Sequence, residues 1–263
     1  MTARVAVLWG LGLHCHSEAL AAYRSVGAAA SLVDASAFLA GQADLSAYDL
    51  LHVSGGFSFG DDGGAGVAFA QELRQGPAWS ALVAWLAAGG RVVGVCNGMQ
   101  ILAASGLLPN IAGTYTREVE LQPNLGGQFV DRWVRCVGRL PNLPDQYLEM
   151  PVRHAEGRVV PASPDIAQQI EDLQLAVLRY VDLGDDVTEQ APDNPSGSQG
   201  GVAGLLSADG RVLGLMPHPE AAMSPLQHPA WLVRRRLGDL PEHGDGERLL
   251  RWLVGPFLQR DTP

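Results

Sequence analysis

The chain has 263 residues, 47% of them hydrophobic and 17% charged, a smaller charged share than the quarter usual in globular proteins. That composition allows a large core in a single domain, 1–263, and argues against long disorder. A net charge of −10 argues against nonspecific nucleic-acid binding, and the complete absence of lysine excludes Schiff-base chemistry and a P-loop lysine.

In chain order, strands alternate with helices. The pattern predicts strands near 4–9, 30–33 and 49–54, and helices near 16–26, 64–74 and 78–88. A strand over 91–95 and a helix over 97–104 follow. The middle, from about 113 to 182, changes character, with strands at 128–137 and 146–152 in an antiparallel patch. Strands resume at 201–206 and 211–216, after a loop at 184–200 rich in Asp, Pro, Ser and Gly. A C-terminal helical extension, about 224–263, holds helices near 228–237 and 245–259, with Leu249, Trp252, Leu253 and Phe257 at core spacing. The expected class is α/β: three layers, a mostly parallel twisted sheet flanked by helices, and a smaller antiparallel patch.

Two runs carry the chemistry. Val92-Val93-Gly94-Val95-Cys96-Asn97-Gly98-Met99-Gln100 reads as a buried strand turning sharply into a helix with a thiol at the turn. Small residues on both sides let such a turn close, and the helix N-terminus favours thiolate over thiol. Cys136 lacks this setting and reads as a buried structural cysteine. Downstream, Met216-Pro217-His218-Pro219-Glu220 places two residues before prolines, which forces extended backbone. Residues i and i+2 then share a side, so Glu220 can orient the His218 ring toward a thiol. A glycine-rich turn, Gly55-Gly56-Phe57-Ser58-Phe59-Gly60-Asp61, follows another strand, where its amides could complete an oxyanion hole with that of Asn97. His14-Cys15-His16 invites a metal site, but adjacent loop residues rarely converge on one ion, so none is expected. Arg234-Arg235-Arg236 reads as a solvated helix face.

These residues resemble the class I glutamine amidotransferases, with a cysteine–histidine–glutamate triad at Cys96, His218 and Glu220. The stretches around 55–61, 96–102, 106–109, 129–134, 154–157, 179–180, 194–198 and 213–220 look more narrowly like the glutaminase subunits of phosphoribosylformylglycinamidine synthase. That resemblance implies hydrolysis of L-glutamine through a thioester on Cys96. It implies oxyanion and substrate contacts from Gly55, Gly56, Phe57, Asn97 and Gln100, and a place away from the triad for His154 and Glu156. It also implies two partners, a large synthetase subunit and a small bridging subunit, with ATP and Mg on the synthetase and no cofactor or metal in this chain. No membrane segment and no signal peptide are expected, and with three cysteines in no framework spacing a cytoplasmic location follows. Two departures, Leu13-His14 in the loop before Cys15 and Ala221 after the His-Pro-Glu run, leave alternatives open: a divergent paralogue serving another synthetase, or a non-catalytic assembly subunit. A cysteine peptidase or chaperone-like relative on the same sheet is disfavoured by the distant His-Pro-Glu.

Overall fold

The computed structural model describes residues 2–140 and 145–258. The chain begins β1 (Arg4–Trp9), α1 (His16–Ser25), β2 (Ala29–Asp34), α2 (Ala35–Leu39), β3 (Leu50–Val53), α3 (Val67–Gln75), α4 (Ala78–Ala87), β4 (Arg91–Val95) and α5 (Asn97–Ala104). It continues through β5 (Val119–Gln122), β6 (Val130–Gly138), β7 (Gln146–His154), β8 (Arg158–Pro161), α6 (Pro164–Asp172) and β9 (Leu178–Tyr180). It closes with β10 (Val202–Leu206), β11 (Val212–Leu215), α7 (Trp231–Leu237) and α8 (Asp245–Leu258).

Nine strands form one sheet in the order β2-β1-β3-β4-β11-β10-β9-β6-β7, and β5 pairs with β8 in a separate two-stranded sheet. The first five strands run parallel, with β4 and β11 in register from Val92 opposite Val212 to Val95 opposite Leu215. The remaining pairings are antiparallel, so the middle segment extends the main sheet through β9. Sequence reading missed β5, β8, β9, α2 and α6. They are three to nine residues long, too short for periodicity to register.

Alternation along the parallel strands feeds two cores. Ala6, Leu8, Val92 and Val212 face one side, with Phe69, Leu82, Met99 and Ile101 from the helices. Val5, Val7, Leu50, Val93 and Leu213 face the other, with Tyr23, Leu249 and Leu253. This is the three-layer arrangement of an open α/β sheet. Leu249 and Leu253 are buried and Trp252 packs against them, as their spacing predicts, whereas the Phe257 side chain lies outside the described residues.

Close approach of β3, β4 and α5 depends on glycine. A Cβ on Gly98 would stand 2.1 Å from the Val53 carbonyl oxygen, and one on Gly94 would stand 2.5 Å from the Gly98 carbonyl carbon. Neither neighbour is a flexible side chain, so the backbone would have to move. Gly98→Ala is therefore expected to lose roughly 1–3 kcal/mol of stability, the usual cost of overpacking. Denaturant unfolding checks this, and an unchanged midpoint would contradict it.

Candidate active site

Cys96 caps α5 with φ 53° and ψ −110°, a left-handed conformation that a non-glycine residue adopts only under constraint. The constraint is visible on both sides. Its amide donates to the Leu215 carbonyl on β11 (2.7 Å), and its carbonyl accepts from the Gln100 amide of α5 (3.1 Å). The turn aims the sulfur away from the strand and toward the Arg153 carbonyl at 3.4 Å. That carbonyl belongs to β7, the far edge of the sheet, whose end returns over the carboxyl ends of β4 and β11.

His218 lies just past β11, 1% exposed, with its amide held by the Pro151 carbonyl of β7 (2.8 Å). Its Nδ1 is 2.6 Å from Glu220 Oε1, so the two side chains meet, but not through the extended run expected from the prolines: Pro219–Ala221 form a single 3-10 turn that brings the carboxylate back to the ring. Burial opposes charge on this ring, but the Glu220 carboxylate and the thiols of Cys15 and Cys96 outweigh it and hold the imidazole well above its ordinary pKa. For Glu220 burial alone would raise the pKa; the His218 and His52 rings pull it below its ordinary value. A Cβ on Gly55 would come 2.9 Å from His218 Cε1, 3.2 Å from Cys15 Sγ and 3.4 Å from Cys96 Cβ, so this glycine makes room for the imidazole between two thiols. Cys136, by contrast, is fully buried and burial pushes its thiol up, which leaves it inert.

The glycine turn is clamped by the loop after β1. The Phe57 amide donates to the Gly12 carbonyl (2.9 Å), and the amides of His14 and Cys15 donate to Gly55 (2.8 and 3.0 Å). This bridge uses residues on either side of Gly56 and leaves the Gly56 amide out of it. Phe57 therefore offers its ring, 48% exposed, rather than an oxyanion donor. Asn97 braces the same turn, its Oδ1 accepting from the Ser58 amide (3.0 Å).

A small cavity opens between these parts, lined by Gly56, Phe57, Asp61, Cys96, Gln100 and Glu156, among others. Two larger clefts have no cysteine or histidine in their walls, so size does not locate the chemistry. Gln100 spans the small cavity's wall, accepting from Asn97 Nδ2 (2.9 Å) and donating to the Glu156 carbonyl (2.5 Å). His154 and Glu156 thus belong beside the triad, which corrects the expectation that they lie away from it. Their loop is held by Asn124, which donates to the His154 carbonyl (2.9 Å) and accepts from the Gly157 amide (3.1 Å). Ser198 in the polar loop adds a hydroxyl to the Val159 amide (3.0 Å). Asn124 carries no sequence signal for the role and Ser198 is marked only as part of the 194–198 stretch, because the contacts join segments about 30 to 40 residues apart.

His14 and Cys15 do not converge with His16, whose Nδ1 instead lies 3.0 Å from the Leu13 carbonyl and whose ring leans on Trp9. Among the described residues the one group of three potential metal ligands is Cys15, His218 and Glu220. Two of these are the triad's own imidazole and carboxylate. Arg234 is not simply solvated: it pairs with Glu149 of β7 (2.5 Å).

Residues 2–247 match the family described as the CobB/CobQ-like glutamine amidotransferase domain. The chain belongs to this family. The amidotransferase is 32% identical over 263 residues to the phosphoribosylformylglycinamidine synthase subunit PurQ of Methanothrix thermoacetophila, covering 94% of this chain and 95% of that one. It is 37% identical over 238 residues to the same subunit of Mycolicibacterium paratuberculosis, covering 88% and 92%. Among solved structures it resembles a chain of PurLQS from Thermotoga maritima, with TM-score 0.71 and 25% identity over 98% of this chain and all of that one.

The cavity also contains an acid under pressure. Asp61 rises from an ordinary 3.8 to about 6, because burial and the neighbouring Glu156 carboxylate outweigh a hydrogen bond from Asn97. An acid whose folded pKa exceeds its unfolded one binds extra protons in the native state. Stability therefore falls as pH rises through the interval between 3.8 and about 6. Asp61→Asn of this amidotransferase should melt higher than the parent at neutral pH, with the gap closing below about pH 4. Thermal melts across that range decide it, and a gap independent of pH would contradict the sign.

Proposed function

We infer that this chain is the glutaminase subunit of a phosphoribosylformylglycinamidine synthase. The observation that carries the reading is the buried Cys96–His218–Glu220 constellation, with its 2.6 Å acid–imidazole contact, in a chain alignable end to end with PurQ subunits. The non-catalytic alternative lacks support, since thiol, imidazole and carboxylate all keep reactive types in reactive places.

In the proposed reaction Cys96 Sγ, as thiolate beside the His218 imidazolium, attacks the side-chain amide carbon of L-glutamine. The N–H groups of Asn97, at the start of α5, and of Gly56 face the developing oxyanion. The His218 Nε2 proton passes to the leaving nitrogen, ammonia departs, and a glutamyl thioester remains on Cys96. The now neutral imidazole takes a proton from water, which attacks the thioester and releases glutamate. Glu220 holds the ring's tautomer throughout. Gly55 gives the imidazole its space, and Phe57 and Gln100 shape the substrate wall.

The ammonia needs a protected route to an acceptor. Phe57 and Phe129, 48% and 50% exposed with ring centroids 6.3 Å apart, put an apolar rim beside the cavity mouth, which suits coverage by another protein. We assign that cover to a large synthetase subunit, assisted by a small bridging subunit. The synthetase would bind ATP, Mg and formylglycinamide ribonucleotide, leaving this chain without a cofactor of its own. Three unpaired cysteines support a cytoplasmic location. No helix of the described residues is long and apolar enough to cross a membrane.

Glutamate release from glutamine tests the reading. Cys96→Ala should abolish it while Cys136→Ala retains it. Glu220→Gln should lower kcat on the order of a hundredfold or more, by losing the tautomer and the imidazolium. The chain alone should be weakly active and rise markedly on adding the synthetase. Full activity in isolation, or persistence in Cys96→Ala, would overturn the proposal.

A further inference from the structure

Behind the triad lies a histidine that the reaction above does not use. His52 sits in β3, where every residue is buried, and is itself 1% exposed, opposite Val7 of β1 and Val93 of β4. A polar ring in the middle of a parallel strand costs free energy unless both nitrogens are satisfied. One is: the Tyr23 hydroxyl, from α1, lies 3.2 Å from His52 Nδ1, with the rings edge to face at 5.4 Å. Tyr23 is fully buried, and burial, followed by the Glu220 charge, pushes its pKa up, so its O–H is present to donate. His52 is driven down to about 4, chiefly by burial, and is neutral. A neutral ring that accepts at Nδ1 carries its proton on Nε2.

His52 Nε2 is buried with no hydrogen-bond partner, and so is Oε2 of Glu220, the oxygen not engaged by His218. One is a donor and the other an acceptor. The charges of the two residues act on each other: His52 lowers the pKa of Glu220, and Glu220 raises that of His52 against the effect of burial. The partner of His52 lies close to the glutamate as well, since α1, which carries Tyr23, packs on the Pro219–Ala221 turn that bears Glu220.

We propose that His52 is a positioning residue for glutamine hydrolysis, its Nε2–H serving Glu220 Oε2 through one buried water or, after a small rotation of the ring, directly. The result is a buried chain: Tyr23 O–H to His52, His52 N–H to Glu220, and Glu220 to His218, whose ring stands beside the Cys96 thiol. Its effect is to fix the plane of the Glu220 carboxylate so that Oε1 stays on the imidazole. This inference rests on the triad reading above, and Tyr23 and His52 do not touch substrate in it.

Two measurements test it. Nitrogen-15 histidine spectra of the intact, unmutated chain report the tautomer of His52 without any assay of turnover. The expected state is neutral and Nε2-protonated near neutral pH; an Nδ1-protonated or cationic His52 overturns the proposal. Turnover is then read in the complex with the synthetase. His52→Leu should lower kcat roughly ten- to a hundredfold, the range for losing one hydrogen bond to a charged group, with KM nearly unchanged. His52→Gln, whose amide nitrogen can stand where Nε2 stood, should recover most of that loss. Equal losses in the two variants, or full activity in His52→Leu, overturn it. Should His52→Leu fail to fold, the tautomer and the glutamine variant still decide. An unmutated complex that releases no glutamate would count against the triad reading itself, while the tautomer result would stand apart from it.

Discussion

The left-handed backbone at Cys96 is the constraint on which the rest of the structure depends. Such a conformation costs on the order of 1–3 kcal/mol for a side-chain-bearing residue and persists only where neighbours over-determine it. Here β11 holds the amide, α5 takes the carbonyl, and two glycines remove the atoms that would block closure. The same hydrogen bond that secures the turn also fixes β11 beside β4. It therefore decides where a histidine three residues beyond Leu215 must stand. The Cys96 thiol and the His218 imidazole are brought together by one strand pairing rather than by two independent loops.

Around that pairing the supports divide into rigid and adjustable parts. His218 is pinned through its amide to Pro151, and the Arg153 carbonyl faces the sulfur, so β7 braces both reactive groups. The cavity's acidic wall is tied down by Asn124, Gln100 and Ser198 through buried hydrogen bonds. Each of these joins segments distant in sequence, and loss of one partner would leave a buried polar atom without compensation.

Legibility of this arrangement in the sequence followed the range of the interaction. Strand-to-helix turning at Cys96 is a local consequence of glycine and could be read directly; the pairing of His218 with Glu220 was expected from their spacing, but the 3-10 turn Pro219–Ala221 makes it where the prolines suggested an extended run. Alternating apolar runs likewise placed β1, β3, β4 and β11. Three-residue β9 and the pair β5 and β8 have no period long enough to detect. The place of His154 and Glu156 was hidden for a different reason. It depends on the edge strand curling back across the sheet, and nothing in residues 146–156 themselves encodes that return. His52 was invisible because a lone histidine in an apolar strand is defined by what packs behind it.

The exposure of strained backbone gives a physical reason for the proposed control by a partner. The triad sits on strand ends and buried turns. The Gly55–Asp61 turn and the loop that clamps it also carry positive φ angles, at Leu11, Phe59 and Asp61, on residues that, unlike Cys96, are not buried. Phe57 and Phe59 in that turn are 48% and 39% exposed, so a protein seated on the rim contacts the strained element first. A shift there would move the Gly56 amide while leaving sulfur, imidazole and carboxylate in place. In the proposed complex, binding energy from a docked synthetase would be applied to the donor assigned to the oxyanion, and glutamine would be consumed where its ammonia has somewhere to go.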